Sequence, residues 1–343
     1  MQKIVIHRPG GFNRLKIESV PDPLASDSEV VVKVKAIGVN YADCVTRMGY
    51  YASAKEYVGW PITPGFDFSG IVSQVGKNVK NLKVGEPVFG ISRFNSYATH
   101  VVVPRHQLFS IPKTCTFEEA GGFPTIFLTA YYALHMVTRI YPGSILLIHS
   151  AAGGMGSALL QLSRHAGWRT IGVVGNPGKV EAAKAIGADI VIDKSKENLW
   201  EAVDKHAPHG LDAVLDGNGY ITLKDGAKRL RNNGKLIAYG FHSMFPKRSG
   251  IANIFKLAWD YLRTPRFNPI STHNRNISLI TFNLSFMFER TDLFDIAMGD
   301  LYKWFAEKKI RMPKITSYPF ADAAQAHKDL QSGKTIGKLV LVH

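Results

Sequence analysis

The stretch Ile145–Gly156, ILLIHSAAGGMG, decides how this chain is read. Ile145 to Ile148 are four apolar residues in a row, the pattern of a short strand buried in a parallel sheet. Ala151, Ala152, Gly153, Gly154 and Gly156 then let the backbone turn sharply. From Gly156 onward, Ala158, Leu159, Leu162 and Ala166 recur near helical spacing, and Gly167 stops the run. The spacing is Ala151-x-Gly153-x-x-Gly156, with alanine in the first place of the usual G-x-G-x-x-G. Glycines alone would fit any tight turn. Strand, glycine turn and helix in this order predict a dinucleotide site, with the pyrophosphate on the helix N-terminus.

A chain of 343 residues with 45% hydrophobic and 20% charged residues is long enough for two soluble globular domains. The most apolar stretch, Phe123–Val137, is broken by Pro124, Thr125, Thr129 and His135. It reads as buried loop and helix, not as a membrane span. The N-terminus, MQKIVIHR, moves straight into a strand without an apolar signal region. Two cysteines, Cys44 and Cys115, exclude a disulfide framework and fit a reducing cytoplasm. The net charge of +15 suits an anionic ligand, an acidic membrane surface or nucleic acid. The cations are scattered, however, with local pairs such as Lys247-Arg248 and Lys308-Lys309. No nucleic-acid partner is expected.

Up to about Pro104 the chain reads as strands and glycine-punctuated turns: KIVIHR, LKIESV, and the alternating VVVKVKA at Val30–Ala36. That half is expected to be a small β-barrel. From Gly121 strands alternate with helices. The strands fall at Ile145–His149, Thr170–Val174, Ile190–Ile192, Ala213–Leu215 and Leu236–Tyr239, with Ile277–Leu284 as the last. This alternation predicts an α/β, doubly wound parallel sheet. Leu293–Lys308 is a helix candidate, and the closing strand returns to the first domain. The expected domains are 1–120 plus 290–343, and an inserted 121–289.

The order of these pieces resembles the medium-chain dehydrogenase/reductase superfamily, in its zinc-free quinone oxidoreductase branch. The motifs are Gly38-Val39-Asn40-Tyr41-Ala42-Asp43, Pro64-Gly65-Phe66-Asp67-Phe68-Ser69-Gly70 and Val84-Gly85-Glu86-Pro87-Val88. They continue with Leu128-Thr129-Ala130-Tyr131, the glycine turn and Gly337-Lys338-Leu339-Val340. The C-terminal half, with PKRSG near Pro246 and RFNP at Arg266–Pro269, looks more like the vesicle amine transport protein sub-branch. The resemblance implies a Rossmann domain inserted in a GroES-like domain, and a homodimer.

Zinc-dependent relatives place cysteine, and histidine with glutamate, where this chain has Asn40, and Phe66 with Asp67. A catalytic zinc needs about three protein ligands, so no metal is expected. Hydride from NADPH would then go to an acceptor that delocalises charge, a quinone or an α,β-unsaturated carbonyl. The resemblance points to Asn40, Asp43 and Tyr51 as cleft residues. Asn40 would donate to an oxygen, Tyr51 would donate a hydrogen bond or proton, and Asp43 would orient neighbours such as Arg47. Tyr50 rivals Tyr51, and asparagine and aspartate also serve as ordinary turn and cap residues.

An NAD-binding turn usually has an acid about 20 residues on, at the end of the second strand. Here that strand runs into Gly175-Asn176-Pro177-Gly178-Lys179, without a carboxylate. The missing acid and Lys179 favour NADP(H), with Lys194 and Arg164 as further basic candidates. The expected cofactor residues are Thr129, Ala151, Gly153, Gly154, Met155, Gly156, Gly175, Asn176, Lys179 and Lys194. To these are added Asn218, Gly240, Phe241, Asn283 and Lys338, while His242 reads as a structural loop histidine.

Ile251–Pro269, IANIFKLAWDYLRTPRFNP, departs from the usual short link. Ile251, Ile254, Phe255, Ala258 and Leu262 share one helical face. The simplest reading packs that face on its own domain. The sharper one makes it a membrane or partner contact, with Trp259 and Tyr261 near its edge. An enoyl-thioester reductase, and a nucleotide-binding adaptor with little activity, are the alternatives to the quinone or enone reductase.

Overall fold

The computed structural model describes residues 1–343, which fall into two units. The first comprises Met1–Ile126, Pro246–Ala252 and Ser285–His343; the second comprises Phe127–Phe245 and Asn253–Leu284. The return of Pro246–Ala252 to the first unit had no sequence signal. Two side-chain bonds account for it: Gln331 Nε2 donates to the Pro246 carbonyl at 2.9 Å, and Arg47 Nη1 to the Gly250 carbonyl at 3.2 Å.

The first unit opens with the antiparallel pair β1 (Gln2–Val5) and β2 (Lys16–Ser19). Its main strands are β3 (Glu29–Val39), β4 (Asp67–Val75), β5 (Pro87–Ile91), β6 (His100–Pro104) and β7 (Leu108–Ser110). β3 buries Val30, Val31 and Val32, turns Lys33 and Lys35 out on either side of buried Val34, and is buried again from Ala36 to Val39. Near the end of the chain this unit adds β14 (Ile315–Pro319) and β15 (Lys338–Val342). The sheet order is β14-β15-β3-β4-β5-β7, with β6 also on β3. β15 pairs antiparallel with β3, Leu341 opposite Ile37, so the closing strand does return to the first domain.

The second unit carries β8 (Ile145–His149), β9 (Arg169–Val174), β10 (Ile190–Asp193), β11 (Leu211–Asp216), β12 (Leu230–Ala238) and β13 (Ser278–Thr281). They form a wholly parallel sheet in the order β10-β9-β8-β11-β12-β13. Leu146, Leu147 and Ile148 of β8 are inaccessible, as a central strand covered on both faces requires. The order reverses beside β8, where doubly wound sheets bind ligands.

The segment after β12 does not pack as the simplest reading expects. It forms a helix at Ile254–Arg263 and a short one at Pro269–His273. Ile254, Phe255, Trp259 and Leu262 are 61–84% exposed, and the buried residue of the longer helix is Asp260. Its amphipathic period is real, but the apolar side faces outward.

Candidate functional site

In the second unit, β8 ends in the predicted turn. Gly153 N–H closes it by donating to the Ser150 carbonyl at 2.9 Å, and Gly153 caps the helix Gly154–His165. A side chain at Gly156 would run into the Ser150 carbonyl and come within 2.7 Å of Ala151 Cα, so the chain can turn here only with glycine. The first N–H groups of that helix have no carbonyl partner within it, which is what makes its end an anion seat. Ala151 and Gly156 are buried, while Gly153, Gly154 and Met155 are partly open.

At the end of β9, Gly175 and Asn176 precede Lys179. Lys194, following β10, bonds through its N–H to the Val174 carbonyl at 3.2 Å. Its Cε lies 3.8 Å from the place a Gly175 Cβ would take, just past the end of β9. Burial holds the Lys179 ammonium below its usual range. The acid nearest in sequence, Asp193, spends Oδ1 on the N–H and hydroxyl of Ser195.

Beyond β11, Asp216 builds the next loop: it accepts from the N–H groups of Asn218 and Gly219 and from the Thr222 hydroxyl at 2.6–2.9 Å. Asn218 is thereby fixed, 2% exposed, with its amide Nδ2 lacking any partner. A buried donor left open is costly unless something fills it. A dinucleotide fits this unit on that ground. His242 Nδ1 contacts the Gly217 carbonyl at 2.8 Å, a structural placement. Buried His149 stands 3.8 Å from Asp216, and burial drives its pKa down to about 4.

In the first unit, the residues expected to face substrate form a buried network instead. Asn40 is 7% exposed. Its Nδ2 donates to Asp67 Oδ2 at 2.8 Å and to the Gly38 carbonyl at 3.4 Å, and its Oδ1 accepts from Lys338 Nζ at 2.5 Å. Both amide hydrogens are therefore engaged within the protein, against the expectation of a donor free for substrate. Lys338, expected at the cofactor, is 3% exposed and also bonds Asp67 at 3.1 Å. Sequence proximity to a family motif could not show that its ammonium neutralises a buried carboxylate. The backbone N–H and hydroxyl of Thr125 complete Asp67.

Asp43 is likewise inaccessible. It accepts from the N–H of Asn40 at 2.8 Å, the N–H of Gly65 at 3.1 Å and the Tyr97 hydroxyl at 3.2 Å. Gly65, at φ +100, has no room for a side chain because Tyr97 N would lie 2.9 Å away. Tyr97 passes the network on to His327 Nε2 at 3.0 Å. Burial, helped by Asp67, lifts the Asp43 carboxyl to about 7, while its Asn40 bond and Lys338 pull the other way. Asp43 does not orient Arg47. That guanidinium bonds Gly10, Gly250 and Gln331 and lies over Phe12 at 4.3 Å. Nothing in the local sequence marks Tyr97, His327 or Asp67 as members of this cluster, because long-range pairing alone assembles them.

Tyr51 is half-buried and stands edge-on to Phe66 at 5.9 Å and Phe94 at 6.3 Å. Tyr50 is 39% exposed under Lys55. The two adjacent tyrosines thus sit in different surroundings, Tyr51 among aromatic rings and Tyr50 towards solvent. No group of three or more His, Cys, Asp or Glu side chains could hold a metal ion.

The comparisons agree with this architecture. Residues 26–113 match the alcohol dehydrogenase GroES-like domain family, and residues 186–341 the family described as zinc-binding dehydrogenase. The chain is 31% identical over 340 residues to the synaptic vesicle membrane protein VAT-1 homolog of Danio rerio, covering 98% of this chain and 69% of that protein. It is 31% identical over 346 residues to a 2-haloacrylate reductase of Burkholderia sp, covering 98% of each. The crystal structure of Escherichia coli quinone oxidoreductase complexed with NADPH superposes with TM-score 0.86 at 26% identity, covering 100% of both chains.

Proposed function

Since the chain belongs to the medium-chain dehydrogenase/reductase superfamily, in the branch shared by quinone oxidoreductases and VAT-1 homologues, we propose that it is an NADPH-dependent, metal-independent reductase of quinones or α,β-unsaturated carbonyls. One observation carries the reading: the glycine turn and the unpartnered Asn218 amide lie on carboxyl ends of one sheet, where Lys194 replaces the ribose-binding acid. NADPH, when bound, supplies the hydride. The residues for it are Thr129, the turn Ala151–Gly156, Gly175, Asn176, Lys179, Lys194, Asn218, Gly240, Phe241 and Asn283. Lys338, neutralised by Asp67, serves as a positioning residue.

Tyr51 is the group assigned to the acceptor oxygen, as hydrogen-bond or proton donor. Asn40 and Asp43, held in the buried network, are assigned to shaping the cleft and not to proton transfer. An acceptor that spreads its own charge needs no Lewis acid, which is consistent with Asn40, Phe66 and Asp67 in place of zinc ligands. The test is NADPH oxidation against a panel of quinones, enones and enoyl-CoA thioesters. Turnover with the first two is expected, and Tyr51→Phe should lower kcat/KM by about tenfold or more. Preferred turnover of enoyl-CoA would move the assignment to an enoyl-thioester reductase. NADPH binding with no turnover across the panel would favour an adaptor.

The exposed helix Ile254–Arg263 supports a second role, peripheral contact with an acidic membrane. Its apolar side chains are flanked by Lys256, Arg263 and Arg266, a composition suited to lying in a bilayer interface. No helix of the chain is long and apolar enough to cross one. Co-sedimentation with phosphatidylserine vesicles is expected, falling about tenfold or more in the Phe255→Ser, Trp259→Ser variant. Equal sedimentation of the two proteins removes this role. A cytoplasmic homodimer completes the proposal, supported by two free cysteines and the open edge at β13.

A further inference from the structure

Four cations of the first unit converge on one concavity away from the buried Asn40–Asp67–Lys338 network. Lys247 and Arg248 come from the crossover Pro246–Ala252, and Lys328 and Lys334 from either side of the C-terminal end of the helix Ala323–Ser332. They line an open cavity of about 570 Å³. None of the four makes an ion pair. The one acid present, Asp329, is already committed: Oδ2 accepts from the Tyr318 hydroxyl and Oδ1 from Gln325 Nε2, each at 2.9 Å.

The site is held in shape by bonds that do not involve the cations. Gln331 and Arg47 pin the crossover through the Pro246 and Gly250 carbonyls, as described. On the opposite wall, Ser332 donates to the Asp329 carbonyl at 2.6 Å and accepts from the Lys334 N–H at 3.1 Å. Gly333, at φ +69, turns the chain so that Lys334 comes back to the cavity. The helix end itself carries partial negative charge, but the Asp329 and Leu330 carbonyls there are satisfied by the Ser332 hydroxyl and the Gly333 N–H.

Like charges held together without counter-ions repel, and they favour an anion that pairs with several of them at once. A guanidinium among ammoniums, with the Thr335 hydroxyl beside them, suits phosphate oxygens. We propose that this cavity is a binding site for a phosphate ester, separate from the cofactor turn. A phosphorylated metabolite and a phosphorylated lipid headgroup present the same chemistry here. The cavity is roomier than a lone phosphate, so the rest of a small ester has space.

The experiment is titration calorimetry of the full chain with inorganic pyrophosphate in saturating NADP⁺, which keeps the cofactor turn filled. It is repeated as sedimentation with phosphatidylcholine vesicles containing phosphatidylinositol 4-phosphate. Pyrophosphate binding is expected, weakened about tenfold or more by Lys247→Gln with Arg248→Gln, and likewise by Lys328→Gln with Lys334→Gln. Lys80→Gln with Lys83→Gln removes two exposed charges elsewhere on the unit and should leave it unchanged. Vesicle recruitment lost with the same variants identifies a lipid headgroup; pyrophosphate binding without recruitment identifies a soluble ester. The proposal fails if pyrophosphate does not bind, or if the control variant weakens it equally, which would mean net charge alone.

Discussion

Asp43 and His327 sit two hydrogen bonds apart through Tyr97, and their perturbed ionisations oppose each other. Burial raises Asp43 from 3.8 to about 7, so between those values the native state keeps a proton that the unfolded chain has lost. The stability from this is complete below pH 3.8 and is lost as pH rises through 7. His327 is the reverse. Burial, with Arg47 nearby, lowers it from 6.5 to about 3, so its contribution is present above pH 6.5 and is lost as pH falls. Each group changes stability by about 1.4 kcal/mol per pH unit where the two states differ by one proton. Between pH 6.5 and 4 Asp43 therefore offsets His327. Asp43→Asn should make the melting temperature fall more steeply over that range, and His327→Gln should make it fall less. An Asp43→Asn profile parallel to that of the parent would refute the assignment. Asn40 and Asp43 were legible as a motif, but not as a buried charge cluster. Their partners Asp67, Tyr97, His327 and Lys338 come from distant points of the chain, and no local period marks them.

At the scale of an element, legibility followed burial. β8 was read to the residue because a central parallel strand must be apolar throughout. β12 was read only in its last third: its earlier residues Arg231, Asn232 and Asn233 are exposed and carry no apolar pattern. The Ile254–Arg263 helix was found from its period, yet the period does not say what the apolar side meets. The glycine turn gives the clearest prediction at this scale. Gly156→Ala would press on the Ser150 carbonyl and Ala151, whereas at Gly153 the nearest atom would be 3.3 Å away. Gly156→Ala is expected to lower the melting temperature by several degrees and abolish NADPH binding, a cost of about 1–3 kcal/mol from overpacking. Gly153→Ala should fold with nearly parental stability and weaken NADPH alone. Thermal melts with and without NADPH separate these outcomes; equal melting of both variants would show that the turn is more pliant than its contacts indicate.

For the whole molecule, the parallel sheet poses an unsolved problem at one edge. β10, at one end, runs straight into the exposed Lys194, a charge of the kind that discourages further pairing. β13, at the other, is Ser278-Leu279-Ile280-Thr281, with neither charge nor proline, and Leu279 is 39% exposed. An unguarded edge is a template for another strand. The simplest partner is β13 of a second copy. A two-fold axis sets the two strands antiparallel and closes the assembly, where any other relation would leave an edge still open. The protein is then expected to scatter light as a particle of twice 37.9 kDa. Leu279→Lys places a charge on the edge without touching the cofactor turn, so it should give the monomer mass with a parental far-ultraviolet spectrum. A parent that is already monomeric at micromolar concentration, or a Leu279→Lys variant that stays dimeric, would show that this edge is closed by something other than its own copy.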